Sequence, residues 1–276
     1  GLGDVPRGTI KQLRVVQIFP KTTNVANTPP IGIAREENGR AILGTVPVEA
    51  DGSARFTVPA SKLFCFHALD ADGFAYQVMH SGTYVQPGER VSCVGCHESR
   101  MTAPTRPVVD ILALRRPPSQ IDPGPLGGRR FSYVEVVQPV LDRHCVKCHG
   151  AEKPDGGMDL TGRPEGAFTK SYLSLCGDVT FWGGGTNPEN AAKALVPRTG
   201  GRNQIQVTPP GGVYGALGSR LMKILRQGHE DVKLSPDELR RLAAWIDLNA
   251  IFYGVYLPED QARQLRGEVV PMPEIQ

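Results

Sequence analysis

Long apolar runs are missing from the 276 residues. None approaches the ~20 that a helix needs to cross a bilayer, and the longest candidates, such as Leu63–Leu69, are of strand length. An excess of one charge is missing too. Lys+Arg 31 against Asp+Glu 28 leaves a formal net charge of +3, scattered along the chain, so neither nucleic acid nor an anionic membrane is indicated as a partner. Aromatic residues are sparse at 7%, yet 40% hydrophobic residues suffice for a packed core and argue against wholesale disorder. The opening Gly1-Leu2-Gly3-Asp4-Val5-Pro6-Arg7 has neither a basic start nor an apolar stretch, so no secretory leader is read there. No methionine begins the chain, which reads as a mature product or as the C-terminal part of something longer.

Glycine (32) and proline (24) are plentiful, which predicts a turn-rich chain short of long helices. The six cysteines decide the chemistry. Four of them build one pattern twice, Cys93-Val94-Gly95-Cys96-His97 and Cys145-Val146-Lys147-Cys148-His149. C-x-x-C-H is the attachment pattern of a c-type haem: two thiols three positions apart reach the two vinyl groups, and the next residue offers an imidazole to the iron. A zinc site also uses C-x-x-C pairs, but it needs four ligands on one ion and does not ask for histidine after the second cysteine. A thioredoxin-like redox pair accounts for one motif and not two. The cofactors expected are therefore two covalent haems c, held by Cys93, Cys96 and His97 and by Cys145, Cys148 and His149. Haem attachment belongs to an oxidising compartment, so a periplasmic or extracellular location is expected. There the remaining Cys65 and Cys176 read as a disulfide; two buried free thiols are the alternative.

Residues 1–114 read as β-rich. Strands are expected over Ile10–Phe19, Ala41–Glu49, Ser53–Pro59, Lys62–Leu69 and Phe74–His80, with Ala50-Asp51-Gly52 as a hairpin turn, in a compact antiparallel sandwich or barrel. The four prolines and three glycines of Arg115–Arg130 read as a linker. Residues 131–276 then read as mainly helical: a short helix over Phe131–Arg143 entering the second motif, a Gly- and Pro-rich irregular stretch over 150–215, and a helix over Ala216–Gln227. Ser235-Pro236-Asp237-Glu238 predicts a capped helix start, followed by an apolar stripe of Leu239, Leu242, Ala243, Ile246 and Ala250. The fold class expected is thus α+β, a β-rich haem domain followed by a class I cytochrome c-like domain.

Two stretches carry a family resemblance. Ala50-Asp51-Gly52-Ser53-Ala54, Ala68–Gly73 and Gln86–Glu98 resemble the middle and C-terminal part of the hydrazine synthase alpha subunit family. Val137–Leu141, Cys145–His149 and Leu242–Ala250 are similar to planctomycete-type dihaem cytochrome c domains. The resemblance implies two haem domains and a propeller-like domain upstream of Gly1. It also implies a catalytic first haem whose iron takes a tyrosine four residues after the motif histidine. Met101 stands at that position, which sets hydrazine synthesis itself in question.

The proximal metal ligands expected are His97 and His149. For the second haem, small cytochromes present their distal ligand from the loop before the C-terminal helix; here that loop holds His229 and no methionine after Met222. His144 is read as a local polar contact. For the first haem the distal candidates are Met79, His80, His67 and Met101. Met79 matches a methionine common in the resembling family, and His80 replaces its usual arginine. The function expected is electron transfer through two haems with redox proteins as partners. The alternatives are a redox enzyme acting on a small nitrogen or oxygen species at the first haem, and a protomer of a multihaem assembly or filament with additional subunits.

Overall fold

The computed structural model describes every residue except 1, 3, 4, 26, 35, 36, 80, 96–109, 178–193, 199–213 and 274–276. Four strands open the chain: β1 Gln12–Ile18, β2 Arg40–Pro47, β3 Leu63–Leu69 and β4 Ala75–Val78. A two-residue β5, Arg129–Arg130, joins them later, and all pair antiparallel in the order β4-β3-β1-β2-β5. The result is one sheet rather than the expected sandwich or barrel. Ser53–Pro59 is no strand; it follows the turn closed by Glu49 N–H to Ser53, bridges Ser119 through Phe56, and packs the Phe56 ring on Phe66 of β3 with 5.6 Å between ring centres.

Alternation sends Val16 and Ile18 of β1 to the helical layer and Val15 and Leu13 to the opposite face, where Val46, Phe64, Phe56 and Ile121 cover them. Both faces of β1 are covered, so its four central residues Arg14, Val15, Val16 and Gln17 are all buried. In β4 the alternation fails. A register irregularity between Ala68 and Leu69 leaves Ala75 and Val78 clustered with Leu69, while flanking Phe74 and Met79 pack into the main core.

The Pro- and Gly-rich stretch 115–130 is pinned rather than free. Asp122 exchanges two backbone hydrogen bonds with Thr45, at 2.8 and 2.9 Å, and Ile121 packs under the sheet. Gly44 makes this approach possible: at φ 142° it sits at the β1–β2 irregularity, and a Cβ there would lie 2.0 Å from the Asp122 carbonyl oxygen.

Among the described residues the α-helices are α1 Tyr133–Val136, α2 Gln138–His144, α3 Lys170–Cys176, α4 Gly215–Gly218, α5 Arg220–Gln227, α6 Pro236–Asp247 and α7 Pro258–Leu265. The expected helix over Phe131–Arg143 is two pieces that meet at Val137, just before Pro139. The one over Ala216–Gln227 divides at Ser219, whose hydroxyl caps α5 by accepting from Met222 N–H. Ser235 and Glu238 form the expected capping box. Trp245, Leu242, Ala243 and Ile246 of α6 are buried among Tyr133, Tyr172 and Phe252, whose rings meet at 5.0–5.2 Å. The polar tips are satisfied: Tyr172 Oη donates to Ala250 O at 2.6 Å and Trp245 Nε1 to Ile251 O at 3.1 Å.

This core is continuous with the sheet, since Val16, Ile42, Cys65 and Phe74 belong to the same cluster as Trp245. A buried ion pair reinforces the junction. Arg14 of β1 donates to Asp247 at the end of α6, 3.3 Å away, and to Gly73 O at 3.0 Å. Asp247 also accepts from the backbone of Ala75 and Ala216. Cys65 and Cys176 are free thiols inside this core, which corrects the disulfide expectation. Their even count and a presumed compartment cannot bring two Cα atoms within bridging distance; the chain instead uses them as small apolar groups. Burial pushes both thiols up, Cys176 to about 11, so they stay protonated and unreactive.

Candidate functional site

The second motif grows out of α2. Its last turns continue past His144 through Cys145 N–H to Leu141 O at 2.8 Å, then Cys148 N–H and His149 N–H to Cys145 O at 3.1 and 2.9 Å. Helical winding places positions i, i+3 and i+4 on one side, so Cys145, Cys148 and His149 share a face. Cys145 is half-buried and its thiol is pushed up to about 11, by burial first and by neighbouring Cys148 second, whereas Cys148 is exposed. His149 Nδ1 lies 2.9 Å from Asp155 O. A carbonyl only accepts, so Nδ1 carries the proton and Nε2 keeps its lone pair for a metal.

His229 follows Gly228, which ends α5 at φ 101°, and its carbonyl closes a turn by accepting from Val232 N–H. The loop brings its ring to His149: the ring centres are 6.1 Å apart and the planes differ by 19°. Ring centres 6.1 Å apart would leave room for one metal ion to which each ring could offer a nitrogen. The residues present, two motif thiols with two imidazoles close together, are of the kind that would hold a covalent haem c.

A charged strut holds the motif against α6. Glu238 Oε1 accepts from Arg143 Nη1 at 2.7 Å and faces His144 Nε2 at 2.9 Å, while its other oxygen accepts from Ser235 N–H at 2.9 Å. His144 is thus a local contact beside the motif. The Ser235 backbone N–H, helped by His144, the Ser235 hydroxyl and Arg143, holds the Glu238 carboxyl down at about 2. A depressed acid stabilises the fold above its ordinary pKa and loses that contribution as pH falls toward the depressed value. Stability is expected to decline between about pH 4.5 and 2 through this group. Glu238→Gln should flatten that part of an acid-unfolding profile, and Ser235→Ala should cost about 1 kcal/mol at neutral pH in denaturant titrations. An unchanged acid limb in Glu238→Gln would show that the strut carries no proton linkage.

Of the three haem-binding residues expected in the first motif, only Cys93 lies within the described residues, exposed on the segment that leaves the sheet. Cys96, His97, His80 and Met101 lie outside them. Met79 is partly buried against the main core. His67 is buried on β3, with Nδ1 accepting from Arg14 Nη1 at 3.4 Å. Sequence reasoning did not foresee α7; Leu257-Pro258-Glu259-Asp260, with proline at the first turn and acids after it, was the signal. It also left Arg14 and Asp247 unmarked, because nothing local pairs residues so far apart in sequence. Among the described residues, no helix is long and apolar enough to cross a membrane.

Residues 8–98, which include the whole first pentad, match the model of the hydrazine synthase alpha subunit middle domain. A search of curated proteins found no match. Among solved structures the chain is similar to Kuenenia stuttgartiensis hydrazine synthase, at 20% sequence identity and a TM-score of 0.56. That likeness covers 92% of this chain and 40% of the other, so the present chain spans well under half the length of its structural neighbour. The fold likeness reaches beyond the matched segment, through the helical half that bears the second motif. Over residues 8–98 the chain is thus similar to the hydrazine synthase alpha subunit middle domain, and over most of its length it shares the fold of that structural neighbour.

Proposed function

We propose that this protein carries two covalent haems c and moves electrons through them. In this reading Cys93 and Cys96 anchor the first haem with His97 as a ligand, and Cys145 and Cys148 anchor the second between His149 and His229. Residues 115–130 separate the two haem-bearing parts in sequence. The observation that carries the reading is the pair of imidazoles of His149 and His229, 6.1 Å apart and nearly parallel beside two motif cysteines. When bound, haem supplies a one-electron couple at iron. His149 and His229 between them would leave no position for a substrate, and the Asp155 carbonyl orients His149. The exposed Cys148 puts this end of the site within reach of a protein partner.

A second reading concerns the first haem. The matched family segment ends at residue 98, one past His97, so the resemblance covers the first pentad and not the second. That favours redox chemistry on a small nitrogen or oxygen species there, fed with electrons by the second haem. With Met101 in place of the tyrosine that the resemblance implies, the reaction is proposed only at this level. Redox partner proteins and further subunits are proposed as companions, and an oxidising compartment outside the cytoplasm as the location.

Intact mass and reduced spectra with and without carbon monoxide test both readings. A mass two haems above the polypeptide is expected; the bare mass, or one haem, overturns the dihaem assignment. Carbon monoxide binding at one haem favours the enzyme reading, and two inert low-spin haems favour transfer alone.

A further inference from the structure

Away from both cysteine motifs, a cavity of about 210 Å³ opens between the end of β1, β5 and the start of α7, with Phe19, Pro20, Arg130, Tyr256, Leu257 and Asp260 among its walls. Arg130 is its unusual member. The guanidinium carbon lies 4.4 Å from the centre of the Phe19 ring, so one face is covered by an aromatic. Its Nε is buried and has no hydrogen-bond partner, and among the described residues Arg130 makes no ion pair. A buried donor without an acceptor is costly, on a charged group above all, and native folds seldom tolerate one without a use.

The rest of the cavity tells which acceptor fits. The Tyr256 hydroxyl is held by Gly39 N–H and Asn38 Oδ1, both at 3.1 Å, so its ring and not its polar tip is available as a wall. Pro20, Leu257 and Phe19 complete an apolar lining. Asp260 acts electrostatically on Arg130 but is itself paired with Arg263 Nη1 at 3.3 Å. An arginine fork matches a carboxylate with two parallel bonds. The volume equals that of about seven waters, at about 30 Å³ each, which is room for a one-ring acid.

We propose that this cavity binds a small monocarboxylate with a flat apolar body, its carboxylate on Arg130 and its body between Phe19, Tyr256 and Leu257. Asp260, an anion on the same wall, opposes the ligand's charge and limits affinity. Neither proposed haem site contributes a residue, so the proposal stands apart from the electron-transfer reading.

Calorimetric titration of benzoate into the full chain carrying its haems tests this, with benzyl alcohol as the neutral ligand of matching shape. Benzoate should bind about tenfold or more tightly than benzyl alcohol, as expected for a charge-assisted bond in a half-buried site. Arg130→Gln should remove that preference while leaving benzyl alcohol unchanged. Asp260→Asn, at the first turn of α7 and away from the core, should tighten benzoate several-fold by deleting the opposing charge. The haem absorption spectrum should stay constant throughout. Equal binding of the two probes, no saturable benzoate binding, weaker binding in Asp260→Asn, or a haem spectrum that follows the titration would each overturn the proposal.

Discussion

His229→Ala is expected to turn the second haem from six-coordinate and low-spin to high-spin in the ferric state, with new carbon monoxide binding in the ferrous state. The expectation rests on the loop that sets His229 opposite His149, with ring centres 6.1 Å apart. His149 should remain in place in the variant, since its ring is fixed by Asp155 and not by His229. His229→Met should keep six coordination and raise the potential by on the order of 100 mV, because thioether sulfur favours ferrous over ferric iron. The first haem's signals should hold in both variants. Spectra and potentials that stay unchanged in His229→Ala would reduce this residue to a loop histidine.

The second large effect is expected at the junction of sheet and helices. Arg14→Met leaves the Asp247 carboxylate buried without its cation, which typically costs about 3–5 kcal/mol. For a chain of this size that lowers Tm by roughly 10 °C. Burial already pushes Asp247 up to about 6, against the lowering influence of Arg14 and of the Ala216 and Ala75 amides. An acid raised on folding contributes stability below its ordinary pKa and loses it as pH rises through the raised value. Without Arg14 the raised value climbs further, so the deficit of Arg14→Met should be largest above pH 7 and shrink toward pH 5. Arg14→Met combined with Asp247→Leu should recover part of the loss, because the uncompensated charge is gone. Equal denaturation midpoints for Arg14→Met and the parent chain at pH 8 would dismiss the ion pair as a stabilising element.

These two cases also mark what the amino-acid order discloses. Signals that act over a few residues were legible. Ser235 and Glu238 announced a helix start, and the alternating apolar residues of β1 and β3 announced strands, because capping and pleating are settled locally. The helix leading into the second pentad was legible too, and His229 lies in the loop before α6, near His149. Less was visible where the outcome depends on a distant partner. Prolines and glycines made 115–130 look like a tether, yet Asp122 pairs with Thr45 across a glycine that leaves room for it. The even pairing of Cys65 with Cys176 failed for the same reason: count is a property of the list, distance a property of the fold. The sandwich expected for the first 114 residues became a single sheet because its second face is covered by loop residues such as Phe56 and Ile121, which carry no strand pattern of their own.

The reach of Asp247 sets an order of events as the chain is made. Its carboxylate gathers Arg14, Ala75 and Ala216, separated from it by 233, 172 and 31 positions. No part of that cluster can close until the ribosome has passed α6. At about 5–20 residues per second, the opening sheet therefore waits ten seconds or more, on the order of the whole synthesis time, with its helix-facing side uncovered. The cysteines of both motifs emerge during this interval, before the core has locked. A helix near the end of the chain, α6, is thus what commits the first strands, and a chain cut short before residue 247 would leave them without their partner.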